Sequence, residues 1–207
     1  ALQYSYADTT GSYHTAINLA RKQGVAGENT VAYALKQLIN SAVEAENYEE
    51  AIPFFEQFQE KYQNSMWNVD ATIAVVPALV ALERKAEAKT LFESLVQKVL
   101  SSGVGDFDQV FHSYTNFLNQ EYTLEETIAA LSEFPGKDSS PALAAWLLIG
   151  QIESLERAND EDSDVASKFQ ELQSLYDTNG NDLSNYALVR LARWHNEQGN
   201  QPVSYTH

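Results

Sequence analysis

The stretch that decides the fold runs from residue 47 to residue 62 and reads NYEEAIPFFEQFQEKY. Its apolar side chains recur at the three- and four-residue spacing of an amphipathic α-helix, at Tyr48, Ala51, Ile52, Phe55, Phe58 and Tyr62. Asn47 and Glu50 stand where a helix N-terminal capping pair would be. The pattern therefore predicts a helix with one buried stripe. The small Ala51 allows a second helix to cross closely, and Phe55 fills the space beside it.

The same pattern recurs along the chain. Small residues occupy corresponding positions, 35, 37, 39 and 39 residues apart, at Ala16, Ala51, Ala88, Thr127 and Ala166. A helical pair every ~34–40 residues is the period of a helix-turn-helix solenoid. Further helices are predicted between these, at about 30–45, 66–83, 106–120, 141–157 and 182–198. Strand patterns are absent from the sequence, so it predicts an all-α fold.

Helix boundaries and aromatic positions support this interpretation. Thr123 with Glu126 forms a capping box, and Ser140 precedes a proline at a first helical position. Turn residues cluster at 11–13, 24–27, 101–105, 135–136 and 179–181. The spacing predicts core positions for Phe54, Phe55, Phe58, Tyr62, Phe92, Phe111 and Phe134, whereas Trp67 and Trp194 lie beside the main stripes of their helices.

The chain resembles the tetratricopeptide repeat family. The resemblance rests on Trp146 followed by Ile149 and Gly150, on the turn before Tyr48, and on the small anchor residue with an aromatic residue four positions later. It covers nearly the whole chain in degenerate copies, and a generic α-solenoid of related hairpins is the alternative. The resemblance implies a right-handed α-solenoid of antiparallel helix hairpins, with about five repeats and incomplete terminal units, forming a single domain over residues 1–207. We expect the chain to be a fragment of a longer protein or to carry atypical caps.

The resemblance also implies where a partner would bind. In this family the first helix of each pair lines a concave groove that holds a peptide or protein. The corresponding positions here are Tyr33, Lys36, Asn40, Asp70, Gln109, His112, Asn116, Asn119, Gln151, Tyr186, Arg193 and Asn196, joined by Ile73, Pro77, Leu147 and Val189. We expect Tyr33, Asn116 and Tyr186 to be exposed with free ring and amide edges. Such a surface favours an extended peptide or a helix held by amide hydrogen bonds and aromatic contacts.

The amino-acid composition of the chain argues against several classes of function. The chain has 13 Lys and Arg against 29 Asp and Glu, a net charge of −16 that repels phosphate backbones and anionic lipids. We therefore expect no nucleic-acid partner, and no apolar run reaches the ~18–20 residues of a membrane helix. The absence of cysteine excludes disulfides and thiol catalysis. It fits both the cytoplasm and the bacterial periplasm, with an extracytoplasmic location slightly favoured; the oligomeric state is not predicted.

One acidic segment imitates a calcium loop. Carboxylates alternate from Asp160 to Asp164, and Glu171 lies eleven residues after the first. An EF-hand loop needs glycine at its sixth position, where this chain has Val165, and an apolar residue at its eighth, where it has Ser167. The segment is therefore interpreted as an acidic helix N-terminus and no metal site is predicted. A second oxygen-rich stretch, 177–182, is interpreted as a turn between helices.

The remaining signals favour binding over catalysis. The four histidines are scattered, and the sequence has no phosphate-binding loop and no nucleophile elbow. The sequence thus predicts a non-enzymatic protein-interaction scaffold without a cofactor. One alternative is a helical-toroid hydrolase or lyase, which would need two or three convergent acids where the predicted groove supplies only Asp70. The other alternative is a purely structural spacer.

Overall fold

The computed structural model describes residues 2–103, 105–158 and 164–198, and these form ten α-helices with no strand. The all-α prediction is therefore confirmed. The helices are α1 (Leu2–Arg21), α2 (Glu28–Glu44), α3 (Tyr48–Tyr62), α4 (Asn68–Ala81), α5 (Lys85–Ser102), α6 (Phe107–Glu121), α7 (Leu124–Ser132), α8 (Pro141–Ala158), α9 (Val165–Asn179) and α10 (Asn185–Glu197). Short 3-10 turns cover Gly24–Gly27, Lys137–Ser139 and Gly180–Asp182. No helix in the described ranges is long and apolar enough to cross a membrane.

The chain divides into two compact units, Ala1–Ser113 and Tyr114–His207, with the division inside α6. In the first unit, α2 packs against α1, α3 and α4, and α4 packs against α3 and α5. Their facing sides supply a buried apolar core that includes Leu35, Leu38, Ile39, Phe55, Phe58, Val75, Leu79, Phe92, Leu95 and Val96. Phe54 and Tyr62, which the sequence places in the core, are only half-buried.

In the second unit α8 packs against α7, α9 and α10, and α10 also packs against α9. The core shared by α8, α9, α10 and the segment before α10 consists of Ala145, Ile149, Ile152, Phe169, Leu172, Leu183, Ala187 and Leu191. Burial of these aliphatic and aromatic side chains is the main favourable contribution to the packing of these helices.

The predicted anchors are correct in the middle of the chain and wrong in α9. Ala51, Ala88 and Thr127 are fully buried, and the Thr127 hydroxyl donates a 3.2 Å hydrogen bond to the carbonyl oxygen of Leu118. Ala16 is half-buried, whereas Ala166 is exposed. In α9 the half-buried Val165 takes the anchor position instead, since the buried Phe169 lies four residues after it.

Two predicted caps are confirmed and one is not. The backbone N–H of Glu126 donates to Thr123 Oγ1 at 3.2 Å, and the backbone N–H of Thr123 donates to Glu126 Oε2 at 2.9 Å, which completes the capping box of α7. Ser140 Oγ accepts a 3.1 Å hydrogen bond from the N–H of Leu143 at the start of α8. Asn47 precedes α3 but makes no side-chain capping bond.

The turn predicted at residues 11–13 is wrong, because α1 continues through it to Arg21. The hydroxyl groups of this segment bond within the helix: Thr10 donates to the carbonyl oxygen of Tyr6 at 2.7 Å and Thr15 donates to that of Gly11 at 2.9 Å. The other predicted turns are present as far as the described residues cover them, and Gly103 ends α5 with a left-handed φ of 64°.

Candidate functional site

The twelve predicted groove residues fall into two groups, one in each compact unit. Tyr33, Lys36, Asn40, Asp70, Gln109 and His112 lie in the first unit, and Asn116, Asn119, Gln151, Tyr186, Arg193 and Asn196 lie in the second. The two groups differ in how far their side chains are already engaged in contacts within the protein.

An aromatic pair joins α2 to the start of α4 in the first unit. The rings of Tyr33 and Trp67 have centroids 5.1 Å apart at an interplanar angle of 59°, and Lys36 Nζ lies 6.0 Å from the Tyr33 centroid and 5.7 Å from that of Trp67. We call Tyr33, Lys36 and Trp67 the aromatic cluster. Tyr33 remains 38% exposed, so part of its ring is open to solvent. The sequence singled out Trp67 only as lying off the main stripe and did not place it in the groove.

Amide side chains flank the aromatic cluster along α2. Gln37 Nε2 donates a 2.6 Å hydrogen bond to the Tyr33 hydroxyl oxygen, and Asn40 Nδ2 donates to Gln37 Oε1 at 3.3 Å. The Tyr33 hydroxyl is thus held as an acceptor, and its own proton has no acceptor within the described residues. This arrangement leaves a hydrogen-bond donor at the edge of a partly exposed ring.

The Lys36 ammonium is held by the ring faces, at distances typical of cation–π contacts. No carboxylate of the described chain lies within ion-pair distance of it. The aromatic cluster therefore offers a cation without a charged partner of its own.

A weaker polar link joins α4 to α6. Gln109 Nε2 lies 3.5 Å from Asp70 Oδ1, at the limit for a hydrogen bond. His112 is half-buried, and its Nδ1 lies 2.7 Å from the carbonyl oxygen of Asp108 on its own helix. Ile73 is half-buried and Pro77 is exposed within α4. Asp70 and Gln109 thus come together in the structure.

The expectation of free edges at Tyr186 and Asn116 is wrong. The ring of Tyr186 stacks on Trp146 with centroids 5.2 Å apart, and its hydroxyl donates a 2.5 Å hydrogen bond to Glu153 Oε1. Burial, together with the hydrogen bond and negative charge of Glu153, raises the pKa of Tyr186 to about 12. Asn116 Oδ1 accepts a 3.0 Å hydrogen bond from the Arg157 guanidinium. Both residues are therefore already engaged.

Other contacts occupy the same side of the second unit. The Arg190 guanidinium forms a 2.5 Å ion pair with Glu156 and lies 5.8 Å from the centroid of Phe169. Asn119 Nδ2 donates to the carbonyl oxygen of Thr115 at 2.8 Å. Arg193, Asn196 and the half-exposed Val189 lie at exposed positions of α10. Arg190 and Asn119 are therefore engaged within the second unit, whereas Arg193 and Asn196 are exposed.

The structure does not bring Gln151 to this surface, and the predicted exposure of its helix face is wrong. Gln151 and Leu147 are buried and line a cavity that also involves α7 and α9. The α8 residues that meet α10 and α6 are instead Glu153, Glu156 and Arg157. The physical reason is that α8 has helices packed on several sides, so most of its circumference is covered.

The acidic segment lies mostly outside the described residues, which exclude 159–163. Asp164 is described, and its Oδ1 accepts a 3.3 Å hydrogen bond from the N–H of Ser167, which caps α9. The stretch 177–182 forms the end of α9 and a 3-10 turn, as predicted. Across the part of the chain that the structure describes, no three His, Asp or Glu side chains are grouped to hold a metal ion.

Comparisons of this chain with protein-family models, curated proteins and solved structures found no match. The resemblance to the tetratricopeptide repeats therefore rests on the sequence pattern alone.

Proposed function

We propose that this protein is a non-enzymatic interaction scaffold of tetratricopeptide-like helical hairpins, and that it binds a peptide or protein segment at the aromatic cluster. Two features support the hairpin interpretation. The buried anchors Ala51, Ala88 and Thr127 keep a spacing of 37 and 39 residues. Helices two apart in the chain also pack together, as α2 with α4 and α8 with α10, which is what stacked hairpins produce.

The observation that carries the proposal is the partly exposed Tyr33 ring packed on Trp67 beside an ammonium that lacks an ion-pair partner. Tyr and Trp dominate the energetics of interfaces because they bury much apolar area and lose little side-chain entropy. The Tyr33 hydroxyl proton and the Lys36 ammonium are both donors. A partner with carbonyl or carboxylate oxygens next to an apolar side chain fits this arrangement, as in an extended peptide or the end of a helix.

Catalysis is not part of the proposal. In the second unit Glu153 and Glu156 accept hydrogen bonds from Tyr186 and Arg190, so their charges already serve to join α8 to α10. In the first unit Asp70 is the carboxylate that the predicted groove contributes, and it lies against Gln109. A hydrolase or lyase would need these acids convergent and available to a substrate.

The proposal is tested by affinity capture from a lysate of the source organism with four forms of the protein as bait. Tyr33→Ala removes the ring, and Lys36→Met removes the charge while keeping the length of the side chain. Leu19→Ala is the matched control, because Leu19 is a 57% exposed apolar residue on α1 in the same unit.

We expect a partner that wild type and Leu19→Ala retain and that both cluster variants lose. Thermal melting of each variant verifies that it is folded. A partner retained equally by all four baits would contradict the proposed surface, and the absence of any specific partner would favour the structural spacer.

A further inference from the structure

A cavity of about 460 Å³ opens within the second unit and is lined by α7, α8, α9 and the 3-10 turn that follows α7. This volume is within the ~300–1,000 Å³ typical of small-ligand pockets. Its apolar lining is provided by Ala144 and four leucines: Leu131 and Leu147, which are buried, and Leu148 and Leu175, which are half-buried. None of these residues belongs to the aromatic cluster.

Gln151 is the unusual polar residue of this cavity. Its side chain is only 4% exposed, and its Oε1 is buried without a hydrogen-bond partner. Nearly all buried polar atoms in folded proteins are paired, because an unpaired acceptor loses its hydration without compensation. Protein atoms enclose this oxygen in the present rotamer, and a half-turn of the terminal amide exchanges it with the NH₂ group, so that a donor of a molecule bound in the cavity can pair with it.

The charges around the cavity balance. Two lysines and two carboxylates line it (Lys137, Lys168, Asp138 and Glu171), and Lys168 forms a 2.8 Å ion pair with Glu171. A lining with no net charge does not favour a strongly anionic or cationic ligand. The polar recognition therefore falls to the Gln151 amide, which carries both an acceptor oxygen and donor N–H groups.

We propose that this cavity binds an amide flanked by an aliphatic group, which is the chemistry of a leucine-like residue with its peptide bonds. The aliphatic group packs against the four leucines, and the ligand amide exchanges hydrogen bonds with the amide of Gln151. The site lies in the second unit. Ligand binding at this cavity therefore does not depend on partner binding at the aromatic cluster of the first unit.

The test uses N-acetyl-leucine-N-methylamide as the probe, titrated into the isotope-labelled full chain and followed by nuclear magnetic resonance. A ligand of about 13 non-hydrogen atoms is expected to bind with a Kd on the order of 1 mM. Chemical shifts of the Gln151 side chain and of the Ser174 and Thr178 amides, which line the cavity, should change with saturation.

Two variants and a matched control decide the outcome. Gln151→Leu should weaken binding at least about fivefold, the effect of one lost hydrogen bond, without lowering the Tm, since it also removes the unpaired oxygen. Ser174→Phe places a ring at an exposed rim position and should block binding. Gln170→Leu, an exposed position of α9 outside the cavity lining, should leave the affinity unchanged.

The proposal is overturned if the probe causes no saturable shifts at 10-fold the expected Kd, which would mean a cavity occupied by water alone. It is equally overturned if Gln151→Leu or Ser174→Phe binds like wild type. A decapeptide with one leucine among Gly and Ser residues separates the two sources of the ligand. Tighter binding of the decapeptide identifies a polypeptide segment, and binding of the capped residue alone identifies a small molecule.

Discussion

The hydroxyl of Tyr186 on α10 donates a 2.5 Å hydrogen bond to the carboxylate of Glu153 on α8. The ring of the same tyrosine stacks on Trp146, seven residues before Glu153 on the same helix face. One side chain thus joins the two helices through both an apolar and a charge-assisted contact. A position predicted to face a partner therefore contributes to the stability of the second unit.

The Tyr186 contact makes stability depend on pH in the alkaline range. Its pKa is raised from 10.0 to about 12 in the folded chain, so the folded state retains a proton that the unfolded state releases. The stabilisation is complete below pH 10 and is lost as the pH rises towards 12. Urea denaturation of wild type and Tyr186→Phe at pH 8 to 11 should show a difference in unfolding free energy that shrinks above pH 10. A constant difference would mean that Tyr186 titrates normally.

The variant Glu153→Gln tests what raises the pKa of Tyr186. Removing the carboxylate charge while keeping an acceptor should lower the pKa of Tyr186 relative to wild type, although burial, the largest cause, still holds it above its usual value. Ultraviolet titration against Tyr186→Phe isolates this residue. Glu156→Gln, whose carboxylate pairs with Arg190 instead, is the matched control and should leave the Tyr186 titration nearly unchanged.

Neighbouring phenylalanines in α3 test the register of the first unit. Phe55 is 7% exposed and Phe54 is half-buried. Phe55→Ala should cost about 3–5 kcal/mol of unfolding free energy, because it removes a buried ring and leaves a cavity. Phe54→Ala should cost clearly less. Chemical denaturation, with an unchanged m-value, measures the loss of unfolding free energy in both variants. Equal losses would mean that α3 is rotated about its axis relative to this structure.

The capping box of α7 is a local feature that the sequence alone predicts. Thr123→Ala should destabilise the second unit by about 1 kcal/mol, since the N–H of Glu126 loses its acceptor. Thr123→Ser keeps the hydroxyl and should restore most of the loss. If serine is no better than alanine in thermal unfolding, the contribution of Thr123 comes from its methyl group and not from capping.

The order and type of the helices could be predicted because each depends on local spacing. The periodic apolar residues, the Thr123 cap and the Gly103 turn act within a few residues, and the structure confirms all three. The rotation of a helix about its axis is harder to predict, since one residue of error turns the helix by about 100°. In α9 this error placed Ala166 in the core where Val165 belongs.

The candidate site was harder to predict than the fold. Tyr33 and Lys36 lie close together on α2, as their helical spacing predicts, and Trp67 joins them through packing between α2 and the start of α4. The family correspondence places Gln151 in the groove, whereas neighbouring helices cover this position of α8. Asn116 accepts a hydrogen bond from Arg157, which is 41 residues away, and a contact over that separation cannot be predicted from a local sequence pattern.

The last prediction compares two glycines, because the structure has room for an added Cβ at one of them and not at the other. Gly11 lies inside α1, and a Cβ added there would have nothing within 4 Å. Gly27 is buried at the start of α2, and a Cβ there would lie 2.1 Å from the carbonyl oxygen of Ala20 and 2.7 Å from its carbonyl carbon. The close atoms are backbone, so α1 and α2 would have to move apart to accept a methyl group.

Gly11→Ala should therefore raise the unfolding free energy by roughly 0.5–1 kcal/mol, the advantage of alanine over glycine in a helix interior. Gly27→Ala should lower it by about 1–3 kcal/mol, as overpacking does in a close-packed interior. Thermal and urea unfolding of the two single variants, with far-ultraviolet circular dichroism as the readout, measure both signs. The turn that the sequence predicts at residues 11–13 would instead make Gly11→Ala neutral or destabilising, with no gain in helical signal. A stabilised Gly11→Ala together with a destabilised Gly27→Ala would support a continuous α1 packed tightly against the start of α2.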